Sequence, residues 1–338
     1  MKNIMILGAG CWGGTLASIY ANKGFNVTLW EPIKENLQYL HKFRHPKFFN
    51  YIKLQKNVHI TDNLSEIENS HLILLVMPSI YVRDTLQKIN DLKLDLNKKL
   101  IISCVKGLDQ KTQKRITEII EEILKINTKN LFVFSGPTHA EEVAMNKPTA
   151  ITLAGNNEES LLELQKILST PTLRVYTNND VAGVEIAGAV KNVYAIAAGI
   201  CDGLKLGNNA KAALITRSLK EMILLGKIFK AKVHTFFGLA GIGDLLTTAY
   251  SKFSRNRTFG EYIAKYKNID KAKQKIKTSI EGFFTAKVIH EISKKFSIDL
   301  PIAEEVYKII YNKKSPDLSI KTLLSRSLKE EFSWYSNE

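Results

Sequence analysis

The sequence has little cysteine, and the cysteines it has are far apart. Cys11, Cys104 and Cys201 are the three cysteines among 338 residues, and none belongs to a CxxC pair. An odd number of widely spaced thiols excludes a disulfide framework and a zinc cluster, and it fits a reducing compartment such as the cytoplasm. The histidines show no HExxH spacing, so the sequence gives no support for a metal site.

Long uninterrupted hydrophobic runs are also missing. Residues 72–77 form a run of six and residues 193–201 a run of nine, whereas about 20 apolar residues are needed to cross a bilayer. The first apolar run, residues 4–7, leads straight into Gly8-Ala9-Gly10, unlike the apolar core of a signal peptide. We therefore expect no membrane span, no export and a cytoplasmic location.

Negative charge is scarce relative to positive charge. The chain has 33 Asp and Glu against 48 Lys and Arg, which gives a formal net charge of +15 at pH 7. Such a surface attracts anions, whether nucleic acid, acidic lipid or phosphorylated metabolites. The basic residues are spread along the chain, whereas nucleic-acid binding favours clusters on one face. We expect the charge to serve a small anionic ligand, with no nucleic-acid partner.

The first part of the chain alternates strand-like and helix-like segments. The predicted strands are residues 3–8, 26–30, 58–61, 72–77, 100–103, 131–135, 150–154 and 173–177. The predicted helices between them are residues 14–23, 81–90, 112–125 and 158–168. Apolar strands separated by helices are typical of a largely parallel sheet covered on both faces. The predicted fold class is α/β, with a doubly wound N-terminal domain over residues 1–180.

The second part, residues 181–338, shows helical periodicity and almost no strand signal. Asp180 and its neighbours offer an N-cap for a long helix that runs to about Cys201. Further helices are predicted at residues 210–227, 256–267, 284–295 and 302–311, and the tail 333–338 is expected to fray. Because 338 residues exceed one ordinary core, we expect an all-helical second domain.

A glycine-rich loop follows the first predicted strand. Gly8, Gly10 and Gly13 have the spacing G-x-G-x-x-G, directly after a strand and at the start of a helix. Such a loop brings backbone N–H groups and a helix N-terminus close to a diphosphate, which predicts a dinucleotide cofactor. Glu31, at the end of the second strand, would accept hydrogen bonds from a ribose 2′-hydroxyl and repel a 2′-phosphate. This favours NAD(H) over NADP(H), although Glu31 is also compatible with a solvated surface carboxylate.

Two other predicted strands end in residues suited to a ligand. Lys106 follows the strand at 100–103, and Ser135-Gly136-Pro137-Thr138 ends the strand at 131–135 and continues beyond it. The carboxyl edge of a doubly wound sheet is where ligands bind, so Lys106 is a candidate for phosphate or a reacting carbonyl. A surface lysine and a rigid loop remain the alternatives at these two positions.

The predicted helix from Val181 to Cys201 is apolar on nearly every side, which indicates a buried helix. Lys191 is one of its few polar residues. A lysine in such a helix either extends to solvent or lies in a closed pocket with a lowered pKa. A lysine with a lowered pKa suits proton transfer near neutral pH.

Two segments of the second part are candidates for substrate contacts. Residues 238–244 form a second glycine-rich segment that ends in Asp244, which suits either a polyol ligand or a plain helix connection. Ser254, Arg255 and Asn256 follow, and a guanidinium fork beside neutral donors matches phosphate oxygens. Asn256 is alternatively a helix cap.

The combination of motifs resembles one known family over nearly the whole chain. The motifs stand in the order seen in bacterial-type NAD(P)-dependent glycerol-3-phosphate dehydrogenases: Gly8-Ala9-Gly10-Cys11-Trp12-Gly13, Lys106-Gly107, Gly136-Pro137-Thr138-His139-Ala140, Gly188-Ala189-Val190-Lys191-Asn192-Val193, residues 238–244, Ser254-Arg255-Asn256-Arg257 and Glu281-Gly282. The resemblance implies a Rossmann-like cofactor domain and the NAD(H)- or NADP(H)-dependent reduction of dihydroxyacetone phosphate to sn-glycerol 3-phosphate. This product supplies the backbone of glycerophospholipids.

The resemblance also implies roles for single residues. Lys191 resembles the family's general acid/base. The implied substrate contacts are Lys106, Gly136, Thr138, Lys191, Asp244, Ser254, Arg255 and Asn256. The implied cofactor contacts, besides the glycines, are Trp12, Lys106, Ala140, Arg255 and Glu281.

This sequence departs from the family pattern at two places. Ser279 stands where the family usually has an aliphatic residue that lines the cofactor. Glu31-Pro32 replaces the basic or neutral residues that often meet a 2′-phosphate.

Two other functions remain open from the sequence. One is a related hydroxyacid or 6-phosphogluconate-type dehydrogenase, which would also carry a Lys-Asn pair on a buried helix. The other is a redox-sensing dinucleotide protein that binds nucleic acid through its positive charge. For the assembly we expect a homodimer, since two-fold pairs are the commonest arrangement.

Overall fold

The computed structural model describes residues 2–332, so the predicted fraying of residues 333–338 lies outside the described part. The eight strands are β1 (Asn3–Leu7), β2 (Asn26–Trp30), β3 (Val58–Thr61), β4 (Leu72–Leu75), β5 (Leu100–Ser103), β6 (Leu131–Ser135), β7 (Thr149–Gly155) and β8 (Leu173–Asn178). All eight lie where the apolar runs predicted them.

The strands form one sheet in the order β3-β2-β1-β4-β5-β6-β7-β8. The first six are parallel, whereas β7 pairs antiparallel with β6 and then parallel with β8. Side chains of β1 and β4 face two separate hydrophobic cores, one on each side of the sheet. The predicted doubly wound α/β class is confirmed, with a reversed pair of strands at one edge.

Six helices accompany the sheet: α1 (Cys11–Asn22), α2 (Lys34–Phe43), α3 (Val82–Asp91), α4 (Ile116–Leu124), α5 (Ala140–Ala144) and α6 (Glu158–Leu168). The sequence predicted α1, α3, α4 and α6 but not α2 or α5. Leu40 is the one fully buried residue of α2, so this helix lacks the broad apolar stripe that periodicity detects.

Within the described residues, eight helices follow: α7 (Val181–Gly203), α8 (Asn208–Ile228), α9 (Asp244–Tyr250), α10 (Arg255–Tyr266), α11 (Ile269–Gln274), α12 (Glu281–Phe296), α13 (Pro301–Tyr311) and α14 (Pro316–Leu324). Asp180 caps α7 as predicted, since its Oδ1 accepts the N–H of Gly183 at 2.9 Å. The sequence did not predict α9, α11 or α14. The division into domains at residue 180 stays a prediction.

Helix α7 is the centre of the helical part, where it packs against α8, α9, α10, α12 and α13. By length and composition α7 is apolar enough to cross a membrane, although its polar residues interrupt the apolar run in the sequence. Its most apolar window is entirely buried inside the protein, as for the core helix of a globular domain.

Candidate active site

The glycine loop between β1 and α1 has the geometry that a diphosphate requires. Gly8 has a φ of +114°, and a Cβ there would lie 2.3 Å from the carbonyl oxygen of Val76. A Cβ at Gly13 would lie 1.9 Å from the carbonyl oxygen of Gly8, so this position also needs glycine. A Cβ at Gly10 would meet nothing within 4 Å, and no side chain caps α1 at this residue. The loop therefore leaves open space at an uncapped helix N-terminus, which fits an anionic diphosphate.

Trp12 lies beside this loop and packs, half-buried, against the core of the sheet. Its side chain hydrogen-bonds Cys104, and burial raises the pKa of the Cys104 thiol to about 12. Cys104, directly after β5, is therefore a protonated structural residue.

Glu31 lies at the carboxyl end of β2, as a ribose-binding acid should, but it is only 7% exposed. One carboxylate oxygen, Oε1, accepts the N–H of Ile33 at 3.0 Å. Burial raises the pKa of Glu31. The structure thus does not bear out the alternative of a solvated carboxylate, while contact with a ribose stays a prediction.

The chemical centre of the site is Asp244, which lies between two lysines. Its Oδ2 accepts a hydrogen bond from Lys106 Nζ at 2.7 Å, and its Oδ1 accepts one from Lys191 Nζ at 3.1 Å. Lys106 comes from the carboxyl edge of the sheet, Lys191 from α7 and Asp244 from the first turn of α9. Burial favours the neutral acid, but the two lysines outweigh it and hold the pKa of Asp244 below its ordinary value.

Lys191 is 5% exposed and does not extend to solvent. Burial lowers its pKa to about 8, and the positive charges of Lys106 and Arg255 act in the same direction, while Asp244 opposes them. An ammonium group with a pKa of about 8 can give up and regain a proton near neutral pH. Of the two alternatives that the sequence left open for this residue, the structure shows the closed pocket.

Gly136 and Thr138 lie next to Lys106. The carbonyl oxygen of Gly136 accepts hydrogen bonds from Lys106 Nζ at 2.8 Å and from Thr138 Oγ1 at 3.1 Å. Asn192 fixes the main chain of the same lysine, since its Nδ2 donates to the carbonyl oxygen of Lys106 at 3.0 Å. The structure therefore brings together the segments that follow β5 and β6, both predicted to bind a ligand, and helix α7.

Two residues of this centre were not predicted as site residues. Thr248 Oγ1 lies 2.5 Å from Lys191 Nζ. The ring of His139 contacts the carbonyl oxygen of Thr247, and burial, together with the charge of Lys191, lowers the pKa of His139. Thr248 is four residues after Asp244 and thus on the same face of α9. The four-residue spacing would have indicated Thr248 as a site residue if the sequence had predicted α9.

The segment that begins α10 lies beside this centre. Ser254 caps the helix and accepts the N–H of Arg257 at 3.2 Å. Arg255 is exposed at the first position of the helix, and its charge partly offsets the effect of burial on the pKa of Cys11 and Glu141. Arg255 thus faces the cleft between α10 and the glycine loop.

Asn256 is committed to two structural hydrogen bonds. Its Nδ2 donates to Asn192 Oδ1 at 2.9 Å, and its Oδ1 accepts the N–H of Gly282 at 2.9 Å. The side chain therefore joins α7, α10 and α12, and one N–H of its amide is left for a ligand. The alternative that Asn256 caps the helix is wrong, because Ser254 does so.

Glu281 and Ala140 each occupy the first position of a helix at the cleft. The Glu281 carboxylate accepts the N–H of Ser79 at 2.9 Å and its hydroxyl at 2.7 Å. Burial raises the pKa of Glu281, and the hydrogen bonds from Ser79 partly offset this. Glu281 thereby joins α12 to the segment that follows β4, and contact of either residue with a cofactor stays a prediction.

Comparison with known proteins agrees with this geometry. The family model for the C-terminal part of NAD-dependent glycerol-3-phosphate dehydrogenase matches residues 180–321, and the model for its N-terminal part matches residues 3–161. A NAD(P)+ glycerol-3-phosphate dehydrogenase of Thermotoga sp. (strain RQ2) is 45% identical over 98% of this chain and 99% of its own. One of Fusobacterium nucleatum is 39% identical over 99% of this chain and 100% of its own.

Solved structures give the same result. A crystal structure of glycerol-3-phosphate dehydrogenase from Coxiella burnetii superposes with a TM-score of 0.91 at 37% identity, and it covers 96% of this chain and 99% of its own. A D-mandelate dehydrogenase has a TM-score of 0.59 at 15% identity and shares the fold alone. With an open glycine loop, a buried lysine and two matching family models, the chain belongs to the NAD-dependent glycerol-3-phosphate dehydrogenase family.

Proposed function

We propose that the protein reduces dihydroxyacetone phosphate to sn-glycerol 3-phosphate, reversibly, with NADH or NADPH. The observation that carries the proposal is the buried Lys191–Asp244–Lys106 cluster at the carboxyl edge of a dinucleotide-binding sheet, in a chain of this family. The reaction requires a hydride for the substrate carbonyl carbon and a proton for its oxygen. The bound dinucleotide supplies the hydride when it occupies the cleft.

Residues of the sheet edge would hold this cofactor. Gly8, Gly10 and Gly13 leave room and backbone N–H groups for its diphosphate, and Trp12 lies beside them. At the end of β2, Glu31 would bind the ribose hydroxyls, and its carboxylate would disfavour a 2′-phosphate. We therefore expect a preference for NADH over NADPH. The further cofactor contacts that we assign are Lys106, Ala140, Arg255 and Glu281.

Lys191 is the proton donor in this mechanism. Its ammonium group protonates the developing alkoxide during reduction, and the neutral amine removes the proton in the reverse direction. Asp244 keeps the ammonium oriented through its Oδ1, and Thr248 accepts a second hydrogen bond from Nζ. Lys106, held by Gly136 and Asp244, presents its charge beside the carbonyl, and Thr138 lines the same end.

Arg255, Ser254 and Asn256 would bind the substrate phosphate. Arg255 is exposed at the first position of α10 and offers a guanidinium fork for two phosphate oxygens. Ser254 retains its hydroxyl hydrogen and Asn256 one amide hydrogen, because their structural bonds use only the other atoms. Binding of the phosphate holds the substrate carbonyl next to Lys106 and Lys191. The binding energy of the phosphate thereby lowers the activation barrier of the reaction at the carbonyl.

The test follows absorbance at the nicotinamide band with dihydroxyacetone phosphate and identifies the product. Parallel reactions contain NADH or NADPH, and a control contains dihydroxyacetone, which lacks the phosphate. We expect loss of NADH, formation of sn-glycerol 3-phosphate and little reaction without the phosphate. Equal rates with NADPH would remove Glu31 as a determinant, and turnover of 2-hydroxy acids instead would favour the related dehydrogenases.

We further propose that the protein is a cytoplasmic homodimer that does not bind nucleic acid. The scarcity of cysteine supports the compartment, and the spread of basic residues supports a small anionic ligand. Light scattering of the purified protein measures its mass, and a DNA gel shift at several salt concentrations tests the last point. A steeply salt-dependent shift would contradict it.

A further inference from the structure

His139 lies half-buried beside the lysine cluster and takes no part in the proton transfer proposed for Lys191. It stands between Thr138 and Ala140, directly before α5. Its Nε2 lies 3.3 Å from the carbonyl oxygen of Thr247. Because a carbonyl oxygen can only accept a hydrogen bond, this contact requires the hydrogen to be on Nε2.

The His139 ring is uncharged near neutral pH. Burial lowers the pKa of His139 below its ordinary value, and the positive charges of Lys191 and Lys106 act in the same direction. The hydrogen bond to Thr247 and the charge of Asp244 oppose this effect without outweighing it. A neutral imidazole with its hydrogen on Nε2 has a free lone pair on Nδ1. His139 therefore offers a hydrogen-bond acceptor close to two ammonium groups.

The ring lies between the two sets of residues proposed to hold the substrate. On one side His139 contacts Thr247 of α9, the helix whose first residue, Asp244, binds Lys191. On the other side its ring centroid lies 6.1 Å from that of Phe253, directly before the segment proposed to bind the substrate phosphate. A substrate that reaches from the lysine to the phosphate-binding segment therefore passes this ring.

We propose that Nδ1 of His139 accepts a hydrogen bond from the C1 hydroxyl of dihydroxyacetone phosphate. Near neutral pH the phosphate of this substrate is largely dianionic, and its carbonyl carries no hydrogen, so the C1 hydroxyl is the group that can donate. The inference rests on the proposed function, since it requires this substrate in the cleft.

The contact makes His139 a residue that determines specificity. A phosphorylated ketone without the hydroxyl would bind to the same lysines and the same phosphate-binding segment but would leave Nδ1 without a partner. A site built to bind a hydroxyl discriminates against an analogue that lacks it, because its own polar group then stays unpaired. The other residues of the cluster, which act on the carbonyl or the phosphate, do not distinguish the two ketones.

The test measures kcat/KM of the full-length protein and of His139→Gln with dihydroxyacetone phosphate and with acetol phosphate, in which hydrogen replaces the C1 hydroxyl. The glutamine amide reaches about as far as Nε2, so it keeps a donor for the carbonyl of Thr247 but provides no acceptor at the position of Nδ1. We expect the preference for dihydroxyacetone phosphate to fall about two- to tenfold, which corresponds to one neutral hydrogen bond. The kcat/KM for acetol phosphate should stay nearly unchanged.

Two further variants separate the hydroxyl contact from packing. His139→Asn places an amide oxygen near the position of Nδ1, and it should retain more of the preference than His139→Gln although it loses the contact with Thr247. His71→Gln changes an exposed histidine directly before β4, at the opposite edge of the sheet, and should leave both substrates unaffected.

Four results would overturn the proposal. They are an unchanged preference in His139→Gln, an equal loss of kcat/KM for both ketones, a preference that falls as far in His139→Asn, and a weaker affinity for NADH by calorimetry with the preference intact, which would assign the histidine to the cofactor. Failure of the proposed function gives a different result, because the unsubstituted protein would then bind NADH without oxidising it with dihydroxyacetone phosphate.

Discussion

At the residue scale, function depends on the buried Lys191. Burial disfavours its charged form, and Asp244 offsets only part of this effect. Desolvation removes the hydration that stabilises an ammonium ion, and Asp244 restores part of it at 3.1 Å. The outcome is a pKa of about 8 for Lys191. A fully exposed lysine would stay protonated at neutral pH, and an unpaired buried one would stay neutral.

This pKa predicts opposite pH dependences for the two directions. Reduction needs the protonated lysine, which is present below its pKa, so kcat for dihydroxyacetone phosphate should fall as pH rises through about 8. Oxidation of glycerol 3-phosphate needs the neutral amine, so its kcat should rise over the same range. Steady-state rates in both directions measure this. Profiles that move together, or a flat reduction rate, would contradict the role of Lys191.

Arg255 carries a prediction on substrate binding. Arg255→Ala should raise KM for dihydroxyacetone phosphate about 10- to 100-fold, which corresponds to the loss of hydrogen bonds to a charged group. The reaction should retain its dependence on Lys191. Lys252→Ala removes an exposed positive charge three residues earlier and serves as the control. Equal increases in KM for the two substitutions would show that only the overall positive charge of the region affects substrate binding.

At the element scale, the position of the substrate segment depends on how closely α10 approaches α7. A Cβ at Gly199 would lie 1.9 Å from the carbonyl oxygen of Arg257, and one at Gly260 would lie 2.1 Å from that of Ile196. The two helices therefore touch through their backbones. This contact fixes Ser254 and Arg255 relative to Lys191.

Gly199→Ala should consequently destabilise the protein by about 1–3 kcal/mol or more, since the added methyl group forces the helices apart. Urea unfolding measures the free-energy change, and KM for the substrate should rise as α10 shifts. Gly243→Ala is the control, because a Cβ there meets its nearest neighbour at 3.5 Å and the backbone is already helical. Similar stability of both variants would contradict the close-contact explanation.

The elements differ in how well the sequence predicted them. β1, β4, β5 and β6 are short, mostly buried apolar runs, which the sequence shows directly, whereas β8 alternates buried and exposed residues. The antiparallel direction of β7 cannot be read from such a run. Helix α9 begins in a glycine-rich stretch that indicates a loop, and therefore Thr248 was missed. Asp244 and Lys106 are 138 residues apart, and no local pattern predicts that they touch. The family resemblance implied that each of them contacts the substrate, but it did not predict their direct contact.

At the scale of the whole molecule, buried polar contacts join the sheet-bearing part and the helical part at one interface. Lys106 meets Asp244, Glu281 meets Ser79, and Glu185 of α7 accepts the N–H of Thr117 at 2.9 Å and its hydroxyl at 2.6 Å. The last contact places a buried carboxylate at the N-terminus of α4, which favours negative charge. The cluster of Lys191, Asp244 and Lys106 lies at this same interface.

The net charge of +15 gives a prediction for the whole protein. A positive field attracts the doubly charged substrate, so kcat/KM should fall several-fold as ionic strength rises from about 0.02 M to about 0.2 M, while kcat stays nearly constant. Initial rates across a salt series measure this effect. A salt-independent kcat/KM would show that the surface charge does not steer the substrate.

The most direct test of the central claim, that Lys191 is the proton donor, is the turnover of Lys191→Ala with NADH and dihydroxyacetone phosphate. NADH affinity is measured on the same sample by calorimetry. We expect kcat to fall by about 10²- to 10⁴-fold, as for loss of a general acid, while NADH binding stays nearly intact. Unchanged turnover in a folded variant that binds NADH would contradict the mechanism.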